Sequence, residues 1–155
     1  MMDYPLLLTN FMQHAAKYYP GKEIVSVYAT GTFRYTYADW YKRTCQLAGA
    51  LRAFGIQKGD RVASFSLNNH RHMELYFGVP CMGAVLHTLN IRLSVEHLVY
   101  IINHAEDRIL FIEGKPTAAR WQRGSSSLEA GILRVFGRTG GPYAFYAADL
   151  VSDLE

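Results

Sequence analysis

The sequence predicts an α/β protein: a mostly parallel sheet flanked by helices, with an N-terminal β-hairpin ahead of it. Three observations carry that prediction. Between residues 58 and 112 short β-branched runs alternate with longer stretches of helical periodicity. The connections are short, so successive strands run parallel through right-handed crossovers. Gly55 and Gly83 each follow a helical stretch, where a left-handed backbone ends the helix.

The elements follow in order. Residues Leu8 to Tyr19 read as a helix capped by Thr9 or Asn10 and ended by Pro20-Gly21. Phe11, Met12, Ala15, Ala16 and Tyr19 fall at helical spacing along it. Ile24 to Tyr28 and Thr32 to Thr36 are β-branched and aromatic, and Gly31 sits in the turn between them. Thr36, with Asp39 three places on, caps a second helix whose inner stripe is Leu47, Ala50, Leu51 and Phe54. Gly55 closes it, and Ile56 is placed for the hydrophobic contact that follows such a cap. Lys58-Gly59-Asp60 is a turn and Arg61 to Leu67 a strand. Asn68-Asn69 leads into a helix from about His70 to Met82, and Ala84 to Leu89 is the next strand. Ser94 caps a further helix lined by Val95, Leu98, Ile101 and Ile102, with Glu96 near its N-terminal dipole. Arg108 to Ile112 is the last strand of the alternating run.

At 155 residues the chain is long enough for one domain with a hydrophobic core. Half of the residues are apolar and 19% charged, an ordinary globular composition. No apolar run is long enough to cross a bilayer. Asp3 precedes Leu6-Leu7-Leu8 without any basic cluster, the wrong charge for a secretory signal, so a cytoplasmic location is expected. Cys45 and Cys81 lie in apolar helical patterns, where a thiol serves as a small hydrophobe. The net charge of +3 is local: residues 114–141 carry five basic residues against Glu129 alone, and the remainder is slightly acidic. No basic face with interleaved aromatics forms, so nucleic-acid binding is not expected.

The block from Gly59-Asp60-Arg61-Val62-Ala63 to Phe111-Ile112-Glu113 resembles the first subdomain of the AMP-forming acyl-CoA synthetases. That family lies within the adenylate-forming superfamily of luciferases and peptide-synthetase adenylation domains. Asn69-x-Arg71-His72-x-Glu74, Leu86-His87-Thr88 and Tyr100 to Asp107 are similar to one branch: fatty-acid–CoA ligases of medium and long chain, and methylthiopropionate–CoA ligases. Upstream, Ile24-Val25-Ser26 and Thr36-Tyr37-Ala38-Asp39 also fit. Isoleucine stands at position 91 of Asn90-Ile91-Arg92-Leu93, where the family usually has proline. The resemblance covers residues 1–113 as a family-like α/β subdomain. Residues 114–140 shift to Arg, Gly and Ser and read either as a divergent surface loop or as a local frameshift. Family-like spacing returns over 141–155.

The resemblance implies an enzyme that joins a fatty or similar apolar acid to coenzyme A. ATP and the acid give an acyl-adenylate, and the thiol then displaces AMP. ATP, Mg2+ and coenzyme A are the implied cofactors, and a homodimer is implied by pairing through N-terminal domains. A Ser/Thr-rich loop ending in Gly-x-Pro-Lys-Gly is expected beyond Leu150, so the 155 residues are expected to be inactive alone. No catalytic, cofactor-binding or metal-binding residue is transferred.

Several residues invite a functional reading. His70 and His72 flank Arg71, but helix positions two apart diverge by about 200°, so contacts and packing outweigh a shared metal. His87 lies in a strand, and His104 at a helix C-terminus, where the dipole favours it. Asn90 and Arg92 sit at the strand-end edge where open α/β sheets bind ligands, against the plainer reading of a turn-shaping Asn90 and a carboxylate-paired Arg92. The cluster Tyr18, Tyr19, Tyr28, Tyr35, Tyr37, Trp40 and Tyr41 suits both a core and a protein–protein surface. Competing functions are a non-enzymatic binding or dimerisation module, or a gene relic. A flavodoxin-like nucleotide binder is disfavoured because Leu67-Asn68-Asn69-His70 has no glycine after the first parallel strand.

Overall fold

The computed structural model describes residues 7–29, 31–113 and 133–137. Helix α1 spans Leu8–Tyr18 and packs Met12 inward. It begins one residue ahead of the expected caps, so Thr9 and Asn10 fall inside its first turn and Leu7 takes the N-cap with no side-chain bond. Phe11 and Tyr19, expected on the inner stripe, are exposed; Met12 with half-buried Ala15 meets the core instead.

Strands β1 (Glu23–Tyr28) and β2 (Gly31–Thr36) pair antiparallel from Glu23↔Thr36 to Tyr28↔Gly31 and form a sheet of their own. The usual alternation is inverted in β1, where Ser26 is buried between exposed Val25 and Val27. Helix α2 (Tyr37–Ala53) opens on a capping box: the Asp39 N–H donates to Thr36 Oγ1 at 3.2 Å, and the Thr36 N–H to Asp39 Oδ2 at 3.0 Å. Its buried stripe extends the expected one back to Trp40 and Thr44, and Phe54 is half-buried. The helix ends as its sequence predicts: Gly55 at φ +81°, with N–H bonds from Gly55 to Arg52 and from Ile56 to Leu51.

Strand β3 (Arg61–Phe65), helix α3 (His70–Cys81), strand β4 (Val85–Thr88), helix α4 (Val95–Ala105) and strand β5 (Ile109–Glu113) complete the alternating run. Strand β3 stops two residues short of the expectation, and Leu67 is exposed in the turn that follows. The sheet order is β4-β3-β5-β6, all parallel, with β6 at Leu133–Gly137 beside β5. The 114–140 segment therefore contributes a strand; its other residues, and 141–155, lie outside the described residues.

The sheet is covered on both faces. Val62, Ile109 and Phe111 pack with Leu47, Leu51, Leu75 and Val79 of α2 and α3. Ala63, Phe65, Leu110 and Ile112 pack with Leu98 and Ile102 of α4. A third cluster, around Met12, Tyr35 and Trp40, joins α1 and the hairpin to α2 and α3.

Candidate functional site

The carboxyl end of β3 feeds the N-terminus of α3, which is where an open α/β sheet ordinarily meets a ligand. Asn69 caps α3, its Oδ1 accepting from the N–H groups of Arg71 at 2.9 Å and His72 at 3.1 Å. The His70 N–H donates to Ser26 Oγ at 2.8 Å, which explains why β1 turns a serine inward. The three amides that open α3 are thus all taken by the protein itself. A phosphate would find no free donor there, and no glycine lets the backbone approach one. These residues do not fit the triphosphate of ATP.

A buried polar network replaces that site. The His70 ring stacks on Phe33 at 4.1 Å between centroids and meets the edge of Tyr35, and its Nδ1 lies 2.8 Å from the Tyr28 hydroxyl. Burial, reinforced by the charges of Arg71 and Arg43, lowers its pKa to about 4, so the ring is neutral at pH 7. One turn on, Glu74 accepts from Arg43 Nε at 2.6 Å and Nη2 at 3.3 Å, and from the Tyr35 hydroxyl at 3.2 Å. Burial raises the Glu74 pKa against the opposing pull of Arg43 and Tyr35. The Tyr35 hydroxyl is likewise pushed up by burial and by the Glu74 carboxylate. On the other side of the helix His72 Nε2 lies 3.0 Å from Ser64 Oγ of β3. His70 and His72 therefore turn to different elements, the hairpin and the sheet, as their spacing predicts.

The remaining singled-out residues disperse. His87 Nδ1 lies 2.8 Å from Asp107 Oδ2, on the α4 face of the sheet. His104 is exposed and stacks on Tyr100 at 5.6 Å. Asn90 Oδ1 accepts from the Arg92 N–H at 2.9 Å and so shapes its turn as expected. The carboxylate partner expected for exposed Arg92 is not found among the described residues, whereas Arg34 pairs with Glu23, Arg43 with Glu74 and Arg61 with Glu106. Cys45, expected in an apolar setting, is exposed on α2, whereas Cys81 packs beside the Met12 cluster. Among the described residues no three His, Cys, Asp or Glu gather as a metal site, and no helix is long and apolar enough to cross a membrane.

Sequence reasoning missed Ser26, Arg43, Tyr35 and Asp107 as polar core members. A signal existed for Glu74, an acidic residue one place before Leu75 in a strongly apolar helix. None marked Arg43, whose partner lies 31 residues away.

The fold of the described residues is one that solved acid–CoA ligases share. A benzoate CoA ligase from Burkholderia xenovorans shares it with a TM-score of 0.75 at 20% identity, over 96% of this chain and 28% of that one. The sequence pattern of the AMP-binding enzyme family matches residues 12–139, and the chain belongs to that family. The match runs through most of the Arg/Gly/Ser-rich segment. A long-chain-fatty-acid–CoA ligase of Thermus thermophilus is 51% identical over 114 residues, 73% of this chain and 21% of its own length. A 3-methylmercaptopropionyl-CoA ligase of Ruegeria lacuscaerulensis is 43% identical over 114 residues, with the same coverage. The chain thus spans about a fifth of the length of these relatives.

Proposed function

We propose that the chain is the N-terminal portion of an acid–CoA ligase that converts a fatty or similarly apolar carboxylic acid to an acyl-adenylate and passes it to coenzyme A. The 51% identity over 114 residues to a long-chain-fatty-acid–CoA ligase is the observation that carries this reading. ATP, Mg2+ and coenzyme A belong to it as cofactors of the intact enzyme. None of them is assigned to a described residue, because the α3 N-terminus is already satisfied by Asn69 and Ser26. The part these residues play is to build a rigid α/β scaffold beside the catalytic apparatus.

Two finer points belong to the same proposal. A homodimer is supported by the exposed apolar side chains of α1 and its flanks: Leu7, Leu8, Phe11, Tyr18 and Tyr19. A cytoplasmic location is supported by the free thiols Cys45 and Cys81, which suit a reducing compartment. The division into a family-like subdomain over 1–113, an atypical segment over 114–140 that is either divergent or frameshifted, and a family-like tail over 141–155 belongs to it too.

The test is to sequence the encoding DNA from the codon of Ile112 past that of Glu155, in every frame, and to assay the longest product. A continuation into a hydroxyl- and glycine-rich loop ending in Pro-Lys-Gly, with ATP- and fatty-acid-dependent formation of acyl-CoA and AMP, is the expected result. A genuine stop with no such loop in any frame assigns the chain to a non-enzymatic module or a relic instead.

A further inference from the structure

The N-terminal hairpin is held to the rest of the fold by polar contacts more than by apolar ones. Strands β1 and β2 form a sheet of their own and share no strand with the four-stranded sheet. A two-stranded hairpin is marginally stable at best unless something docks it. In β1 the fully buried residue is Ser26 and in β2 it is Tyr35, whereas Val25 and Val27 face outward. Strand β3, by contrast, buries Val62, Ala63, Ser64 and Phe65 in succession. Both hairpin strands reach the same point, the first turn of α3. The His70 N–H donates to Ser26 Oγ at 2.8 Å, and its Nδ1 lies 2.8 Å from the Tyr28 hydroxyl. The Tyr35 hydroxyl lies 3.4 Å from the His70 carbonyl oxygen and 3.2 Å from Glu74 Oε1. The His70 ring stacks on Phe33 and stands edge-on to Tyr28 and Tyr35. One residue of α3 thus meets Ser26, Tyr28, Phe33 and Tyr35.

We infer that the hairpin is a strap fastened by His70, and that it opens as one unit while the parallel sheet stays folded. Native proteins open first where few buried apolar contacts hold a segment down. Opening returns the His70 ring to water, where histidine ordinarily takes a proton near pH 6.5. In the closed strap, burial and then the charges of Arg71 and Arg43 lower its pKa to about 4. The closed value lies below the open one, so closure is strongest above pH 6.5 and weakens as pH falls toward 4. The other ionisable groups around the ring are Tyr28 and Tyr35 of the hairpin, Arg43 of α2, and Arg71 and Glu74 of α3. The arginines keep their charge throughout. Burial and the Glu74 carboxylate push the Tyr35 hydroxyl up, away from this range. Burial also raises Glu74, so its protonation favours the closed form and opposes the trend set by His70.

The experiment is hydrogen–deuterium exchange on the full chain at pH 7, 6 and 5, corrected for intrinsic exchange, with His70→Gln and Tyr28→Phe beside it. At pH 7 the cross-strand amides of the hairpin, residues 23–36, are expected to be less protected than those of 62–65 and 109–112. Between pH 7 and 5 hairpin protection should fall by about tenfold while the sheet stays level. H70Q should show low hairpin protection at every pH, with no further fall in acid. Y28F should lower hairpin protection at pH 7 and leave the sheet unchanged. Hairpin and sheet amides that lose protection together overturn the strap in the parent chain alone. A parent hairpin equally protected at pH 7 and 5 overturns the fastening by His70, and so does an H70Q variant that keeps the parental fall. Where H70Q does not fold, parental hairpin protection in Y28F overturns it instead.

Discussion

His70 shows how a single buried side chain couples folding to pH. Its folded pKa of about 4 lies below the ordinary 6.5, so the unfolded chain binds the proton more readily. The stability it lends is complete above pH 6.5 and drains away as pH falls toward 4. Urea titrations from pH 7 to 4 should show this slope in the parent chain and a shallower one in His70→Gln. Glu74 acts differently, because Arg43 and Tyr35 both depend on its carboxylate. Glu74→Ala takes the carboxylate from a mostly buried guanidinium and should cost about 3 kcal/mol, against about 1 kcal/mol for Tyr35→Phe, which removes a hydroxyl shared between Glu74 at 3.2 Å and the His70 carbonyl at 3.4 Å. Equal costs in denaturant would show that Arg43 finds solvent once freed. The packing of His70 and of the Tyr28 and Tyr35 rings was readable beforehand, but the pairing of Glu74 with Arg43 was not, because a hydrogen bond across 31 residues leaves no trace in local spacing.

Elements in this chain are set mostly by their ends. The capping box of α2 joins Thr36 to Asp39, and these hydrogen bonds hold the Asp39 carboxyl below its usual pKa. That contribution is present above the ordinary carboxylate range and lost as pH falls through the lowered value. Thr36→Ala should cost about 1 kcal/mol by thermal or chemical denaturation at pH 7 and progressively less in acid. Where helices α2 and α3 cross, the limit is space. A Cβ at Gly78 would lie 3.2 Å from Leu47 Cδ2 and 3.4 Å from the Thr44 carbonyl. Gly78→Ala gains about 1 kcal/mol of helix propensity, which the tight contact offsets, so its stability should change little. Gly78→Leu has no such room and should lose about 2 kcal/mol or more in the same measurement. The caps of α2 and α4 were legible because Thr36 and Ser94 announce them locally, and Asn68-Asn69 marked the entry to α3; α1 starts at Leu8 as expected, but its cap was misassigned to Thr9 or Asn10 because Leu7 caps it without any side-chain bond.

For the whole molecule the informative surface is the apolar one. Exposed Leu7, Leu8, Phe11, Tyr18 and Tyr19 lie on or beside α1, and Val25 and Val27 on the outer face of β1. Such a concentration favours association over a freely solvated monomer. Sedimentation velocity should show concentration-dependent self-association of the full chain, weakened in Phe11→Asp. A monomer at all concentrations that binds no hydrophobic dye would remove the support for a dimer and favour a self-standing module. The position of α1 makes this difficult to foresee: its pattern offers two apolar arcs, and only packing onto Trp40 and Tyr35 selects the one holding Met12.

Local chemistry in the sequence determined the helix ends, the hairpin, the strand–helix alternation and hence the parallel sheet, because periodicity, caps and turn glycines act within a few residues. It also carried the family resemblance, which is a property of residue order. Tertiary structure alone decided which polar groups meet: Ser26 on the α3 amides, Glu74 on Arg43 and Tyr35, His87 across β3 on Asp107. It likewise decided that the α3 N-terminus, at the edge where a nucleotide would be sought, is filled by the protein's own side chains. Burial is the reason, since a polar group withdrawn from water must be satisfied by whatever the folded chain brings beside it.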